Sequence, residues 1–233
     1  SCWTEFRLKD NVLHIVRNMA AYSYASTLRN NELFPFGTTP KRKVFGAIGE
    51  GVVTEKSYSK IREHFPIQTK RFHGERAGIW IWEQKEWHLF FNYATHTFNN
   101  GHRDYDALSL MLATKQEGLW LSDPGPFARH GDKEWEDERA KHFRATQHHN
   151  TVTIDGKDQL PESGKLIHDY GSTIKASFGI HEREIQVSDK KINVRDVMRP
   201  QDSDTHTYRQ TWHLDPEVRV EGMKMYKCQQ CIQ

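Results

Sequence analysis

The side chains able to do chemistry gather in three short stretches. The first is Gly101-His102-Arg103-Asp104-Tyr105-Asp106-Ala107-Leu108-Ser109. In an extended segment alternate side chains share a face, so His102, Asp104 and Asp106 point the same way. Three titratable groups leading into an apolar strand are costly to desolvate unless paired or metal-bound. A solvated loop running into a strand explains the same spacing. The second stretch is Ser122-Asp123-Pro124-Gly125, where Asp123 closes an apolar strand. Taken alone, it is a turn cap. The third runs from Thr146 to Gln159 and sets His148-His149-Asn150 before the strand Thr151–Ile154. Imidazoles and carboxylates at strand ends are the donors of zinc and calcium sites. A lone pair of histidines is more often structural, and spacing alone does not bring the three stretches together.

The elements around them are mostly strands. Residues 77–82 (AGIWIW) and 87–93 (WHLFFNY) read as a hairpin across the polar turn Glu83-Gln84-Lys85-Glu86. Residues 107–113 (ALSLMLA) and 119–122 (LWLS) form the next pair. Asp155-Gly156 is a strong hairpin turn signal after Thr151–Ile154. Further strands are expected at 172–178, 182–187, 191–197, 206–214 and 218–220. Short strands separated by turns predict a sandwich or barrel. Val12, Ile15, Val16, Met19 and Tyr22 recur at helical spacing and predict one helix over residues 11–29. The polar excursion from Pro124 to Gln147 is long for a compact β-domain, which points to function, and it has room for a short helix over residues 132–143.

Composition narrows the class. With 233 residues, 36% hydrophobic and 27% charged, the chain is globular and long enough for a sizeable core. A net charge of +2 and the lack of a Lys/Arg run argue against nucleic acid. No stretch approaches the roughly 18 apolar residues of a membrane span. Seven tryptophans are many for one domain; they serve as core, or as flat platforms for sugar rings. Cys2, Cys228 and Cys231 sit at the ends and indicate neither a disulfide framework nor a complete zinc knuckle. Ser1–Glu5 carries no signal-peptide pattern.

The three stretches, taken in order, resemble the heparinase II/III-like family of polysaccharide lyases. The resemblance rests on Gly101-His102-Arg103-Asp104-Tyr105-Asp106-Ala107-Leu108-Ser109, then Asp123-Pro124-Gly125, then Arg144 to Gln159 with its His149-Asn150-Thr151-Val152 and Asp155-Gly156. Thr211-Trp212-His213-Leu214-Asp215-Pro216 extends it. The implied fold is mostly β: a two-sheet antiparallel β-sandwich preceded by a short helical remnant of an (α/α) toroid. Residues 1–43 would be the toroid end and linker. Residues 44–233 would be the sandwich, possibly cut short at its C-terminus.

The resemblance also implies a reaction, β-elimination in uronic-acid-containing glycans such as glycosaminoglycans or alginate. A base takes the C5 proton, the C4–O bond breaks, and an unsaturated sugar forms. The family's catalytic histidine corresponds to His102. Its metal ligands correspond to Asp104, Asp123 and His149, with zinc or calcium as the ion. Many members carry histidine where Asp104 stands, which shifts the balance towards harder cations or means that the metal is absent. Asp106 would orient His102 or join the ligands. Arg103 and Arg144 would contact substrate carboxylate or sulfate, with Arg144 alternatively a structural partner of Asp158 or Asp106. The implied partner is an acidic polysaccharide, and the implied location periplasmic or secreted. A toroid domain supplied elsewhere, or a second copy completing the sheet, would be a further partner. A non-catalytic glycan-binding sandwich and a uronyl C5-epimerase are the competing readings.

Overall fold

Period-two alternation in the apolar strands decides the architecture. A computed structural model of the chain describes residues 10–28, 34, 63, 70–93, 104–125, 133–160, 162–222 and 224–227. Five strands form one antiparallel sheet in sequence order: β1 (Phe72–Gly74), β2 (Ile79–Gln84), β3 (Trp87–Asn92), β4 (Ser109–Thr114) and β5 (Gly118–Leu121). Register puts Trp80 opposite Phe91 and Phe91 opposite Leu110, while Ile81 pairs with Phe90 and Phe90 with Met111. Each face of the sheet is therefore apolar. Such a sheet must be covered on both sides.

One side meets helix α1 (Asp10–Ala25) and the residues after it. Ala25, Leu28 and Phe34 pack on Ile81, Phe90, Met111, Ala113 and Leu119. The other side meets a second antiparallel sheet, ordered β10 (Ile192–Met198), β9 (His181–Val187), β8 (Thr173–Phe178), β7 (Lys165–Asp169). Ile174, Ala176, Ile185 and Val187 there bury Trp80, Leu89, Phe91 and Leu110. The two sheets give the expected sandwich. A bulge fits β5 to both faces. Leu112 opposes Leu121 and Ala113 opposes Leu119, so Trp120 is the extra residue.

Two short ladders complete the fold: β6 (Val152–Ile154) with β11 (Tyr208–Gln210), and β12 (Val218–Glu221) with β13 (Lys224–Lys227). The Asp155-Gly156 turn forms, with both residues at positive φ and Lys157 N donating to Ile154 O at 3.0 Å. It does not lead into a paired strand, because β6 takes β11 as its partner. The expected strand over 206–214 shrinks to β11. His206 is held by Asp155 and Asp202, and beyond β11 the chain leaves β6 to run along β5. There Ser122 N donates to His213 O at 3.0 Å, and Asp215 N to Trp120 O at 3.0 Å. The predicted helices become α1 and α2 (Glu138–Arg144), the latter capped by Asp137 accepting from Arg139 N. Strand β7 escaped the sequence reading because it is a polar edge with Ile167 exposed. The three cysteines and the Pro35–Pro40 connector, apart from its neighbour Phe34, lie outside the described residues.

His88 ties α1 to the sheet. It is buried on the helix side of β3, and its Nε2–H donates to the Ala25 carbonyl at 2.7 Å. Burial, then the charge of Lys70, pushes its pKa down to about 3, against the pull of that carbonyl. An unfolded histidine takes its proton near 6.5, so the folded state resists protonation. Its stabilising share is full above about pH 6.5 and is lost as pH falls towards 3, by up to about 1.4 kcal/mol per pH unit. The stability difference between His88→Gln, which keeps the donor, and wild type is expected to shrink with acid. Urea unfolding at several pH values reads this, and parallel pH profiles would refute it.

Candidate functional site

Four strand ends converge on one end of the sandwich, and Asp104, Asp106, Asp123 and His149 meet there. Asp123 follows β5. His149 closes a 3-10 turn, Thr146–His148, just before β6. Asp104 and Asp106 precede β4, and Asn92 ends β3. His149 and Asp123 form a fully buried pair, with Nδ1–H donating to Asp123 Oδ2 at 2.8 Å. The ring's Nε2 lies 3.4 Å from the Arg144 carbonyl. Asp106 is buried and accepts from Asn92 Nδ2 at 2.8 Å. Asp104 Oδ2 is buried without a hydrogen-bond partner.

The charges explain one another. Burial alone would push the His149 imidazolium pKa down. The charge and hydrogen bond of Asp123, then the charges of Asp106 and Asp104, overcome that and raise it to about 9. Burial is also the largest influence on Asp104 and Asp106 and raises both. Asp106 adds to it at Asp104, while His149 opposes it at both. One imidazolium thus stands among three carboxylates, with the positive charge of Arg144 also felt by Asp104. Carboxylate oxygens are donor types that hard divalent cations use, whereas a protonated His149 would have to lose a proton before it could join them. Among the described residues, no three His, Cys, Asp or Glu side chains stand in a metal-holding arrangement.

The backbone around the cluster is held by amides and by a buried charge. Asn150 is fully buried; its Nδ2 donates to Ser122 O at 3.0 Å and its Oδ1 accepts from His213 N at 2.6 Å. Gln159 grips both backbone groups of Ala107, accepting at 2.8 Å and donating at 2.9 Å. Asp158 accepts from Thr146 N at 2.8 Å. Between Asp106 and Ser109 the chain makes a tight turn, closed by Ser109 N donating to Asp106 O at 3.0 Å. Its third residue, Leu108, is buried at φ 61. A bulky residue in the left-handed region costs roughly 1–3 kcal/mol and persists only where its surroundings impose it. Arg183 on β9 imposes it: its Nη1 donates to Leu108 O and to Asn150 O, each at 2.6 Å.

Of the residues singled out from sequence, the fold brings together Asp104, Asp106, Asp123 and His149, with Arg144 beside them. His102 and Arg103 lie outside the described residues. Arg183 and its partner Asp196 were missed. In sequence, His181-Glu182-Arg183-Glu184 looks like the wet face of a strand, and nothing in it marks Arg183 as buried. Leu108 was missed for a similar reason, since a left-handed residue other than Gly, Asn or Asp carries no local signal.

This geometry belongs to a known class of β-domain. Residues 66–178 match the family described as heparinase II/III-like, C-terminal. The fold is shared with a crystal structure of heparinase III at 16% identity and TM-score 0.64, covering 92% of this chain and 39% of that one. It is shared as well with a mutant of the heparan sulfate lyase HepC from Pedobacter heparinus, at 15% identity and TM-score 0.65, covering 90% of this chain and 36% of that one. A heparinase III with methylated lysines gives 15% identity and TM-score 0.65 over 81% of this chain and 32% of that one. No curated protein matches the chain in sequence. Residues 66–178 thus match the C-terminal domain of the heparinase II/III-like family, and the β-sandwich shares the fold of the solved heparinase III structures. The chain spans about a third of the length of the solved structures it resembles.

Asn150→Ala leaves Ser122 O and His213 N unpaired in the interior. Each orphaned group costs about 1–3 kcal/mol, so the melting midpoint is expected to fall on the order of 10 °C for a chain of this size. Circular dichroism checks this. An unchanged midpoint would mean that the Asn150 amide does not tie β5 to the 211–215 segment.

Proposed function

We propose that this chain is the β-sandwich part of a polysaccharide lyase that cleaves uronic-acid-containing glycans by β-elimination. One observation carries the reading. The buried Asp123–His149 pair closes against Asp104 and Asp106, directly after His102 in the chain and within the stretch matched by the family. In this reading His102 takes or stabilises the C5 proton of a uronate, a role suited to an imidazole with a pKa near neutrality. The substrate carboxylate acidifies that proton, and charge builds on it as the proton leaves; the electron pair then forms the C4–C5 double bond as the C4–O bond breaks, and the departing oxygen takes up a proton. Arg103 and Arg144 supply positive charge to that carboxylate or to sulfate. Asp106, fixed by Asn92, holds the backbone that follows His102 in place.

Asp104, Asp123 and His149 would hold a divalent ion, zinc or calcium. Such an ion would supply positive charge that offsets the buried carboxylates and would secure the three strand ends, of β4, β5 and β6, that these residues flank. The substrate is an acidic polysaccharide, which in turn points to a periplasmic or secreted protein. Among the described residues, no helix is long and apolar enough to cross a membrane.

The test uses the complete gene product with heparan sulfate, chondroitin sulfate, hyaluronan and alginate. Ultraviolet absorbance of the unsaturated uronate is expected to rise with at least one of them. His102→Ala is expected to lower that rate at least about 100-fold, the scale of general acid–base catalysis, with circular dichroism unchanged. No absorbance on any polymer sinks the lyase reading; binding without product would make the domain a glycan-binding module. Exchange of solvent deuterium at C5 without cleavage would make it an epimerase.

Elemental analysis of the purified protein is expected to find about one divalent ion per chain, lost with chelator together with thermal stability. Metal-free protein whose midpoint ignores added zinc and calcium would overturn the metal assignment.

A further inference from the structure

The opposite end of the sandwich carries a second feature with ligand-binding chemistry. Strands β3 and β4 run from the candidate site to the far turns, a distance on the order of 20 Å for strands of this length. There the β2–β3, β4–β5, β7–β8 and β9–β10 turns surround a groove of about 750 Å³. Four cations line it (Lys70, Arg71, Lys85 and Lys115) against two carboxylates, Glu83 and Asp189. Lys85 pairs with Asp189 at 2.5 Å, Lys115 with Glu83 at 3.2 Å, and Lys70 donates to the Thr27 carbonyl, so Arg71 is the cation that the groove presents.

Arg71 is prepared for an anion. Its guanidinium lies on the Trp82 ring, 3.9 Å from the centroid, and its Nε donates to the Glu83 carbonyl at 3.2 Å. These two contacts fix the plane of the fork. Among the described residues, no hydrogen bond uses its two terminal nitrogens. A planar fork of this kind matches carboxylate or sulfate oxygens in pairs.

Beside it stands an aromatic face. Tyr170 is 76% exposed, and its ring stacks on His168 with centroids 4.6 Å apart and planes 11° apart. The turn bearing it is built on Trp82: a side chain at Gly171 would reach Trp82 at 3.4 Å, and Gly171 itself sits at φ 76. Tyr170 N donates to Thr173 O at 2.8 Å, closing the turn. An exposed ring ordered in this way offers a flat apolar surface with a polar tip. The C–H face of a sugar fits such a surface, and its acidic substituent then reaches Arg71.

We propose that this groove is a secondary, non-catalytic binding site for an anionic oligosaccharide, with Arg71 taking the carboxylate or sulfate and Tyr170 the ring. The choice of a glycan over other polyanions rests on the proposed function. The site would hold a stretch of polymer away from the reacting end.

The experiment titrates this chain with a heparan sulfate hexasaccharide by calorimetry at low and high salt. The Trp82 indole N–H is followed by NMR in parallel. Binding is expected to perturb Trp82 and to weaken with salt. Arg71→Ala and Tyr170→Ala are each expected to lower affinity about tenfold, the scale of one charge-assisted hydrogen bond. Both side chains are exposed, so the variants should fold; circular dichroism verifies this. Arg71→Lys keeps the charge but loses the fork, and is expected to bind nearly as weakly as Arg71→Ala. Wild-type affinity in both alanine variants, an unperturbed Trp82, equal binding of a poly-glutamate peptide, or no binding at all would each overturn the proposal. The two readings fail separately. Elimination by the complete protein with unaltered groove variants refutes only the groove. Groove-dependent binding without elimination refutes only the lyase.

Discussion

A single buried guanidinium holds the candidate site in place. Arg183 has no exposed side-chain surface. Its Nε and Nη2 bind both oxygens of Asp196, at 2.7 and 3.0 Å, and its Nη1 takes the carbonyls of Leu108 and Asn150. Asp196 also accepts from His181 at 2.7 Å and from Gln210. Burial would raise the Asp196 pKa, but the hydrogen bonds from His181 and Arg183 outweigh it and hold the group well below the usual carboxylate range. A buried charge with partners on every side is tolerable; with one partner removed it costs several kcal/mol. Arg183 belongs to the second sheet, whereas Leu108 and Asn150 belong to the two segments that carry Asp106 and His149. The charge thus fixes the distance between the second sheet and the strand ends of the candidate site. It also supplies the bond that keeps Leu108 left-handed.

That constraint lets the site carry an electrostatic imbalance. Three carboxylates share a buried space with one histidine, and the pKa of His149 rises to about 9 in answer. Such a cluster would open towards water if its backbone could move. Asn150, Gln159 and Thr151 prevent this by binding backbone groups on neighbouring segments, Thr151 through its hydroxyl to Ala107 O at 2.8 Å. These amides and hydroxyls carry no charge to be screened by salt or lost with pH. Asp106, Asp123 and His149 are each hydrogen-bonded, whereas Asp104 Oδ2 is buried without a partner.

Much of this was legible in the sequence, but unevenly. The β-prone apolar runs AGIWIW, WHLFFNY and ALSLMLA located β2, β3 and β4, and they are nearly continuous because both faces of that sheet are apolar. The motif order put Asp104, Asp123 and His149 together, and the fold brings those strand ends within reach of one another. What stayed hidden depends on pairing between distant segments. Arg183 looks like a surface residue until the second sheet lies over it. β6 looked like half of a hairpin because the Asp155-Gly156 turn is real, yet β11, more than fifty residues on, outcompetes the local return strand. Trp120 as a bulge follows from fitting β5 to two faces at once, which no local window reveals. His102 and Arg103 lie outside the described residues, so their part rests on the motif.

The two ends of the sandwich differ for a physical reason. At the reactive end, the strands hand over to segments that cross between sheets, so backbone polar groups are buried and must be bound by Asn150, Gln159 and Arg183. Water is excluded there, and charges shift one another strongly. At the far end, the strands return through tight turns such as Lys85-Glu86 and Tyr170-Gly171, where Tyr170 N donates to Thr173 O within the turn and Lys115 N from the next turn donates to Glu86 O. Side chains at those turns are free of structural duty and stay in water, where Lys85 and Asp189 pair at little net gain. Strongly coupled buried charges and an exposed charged surface impose opposite demands on burial, and strands about six residues long keep the two apart.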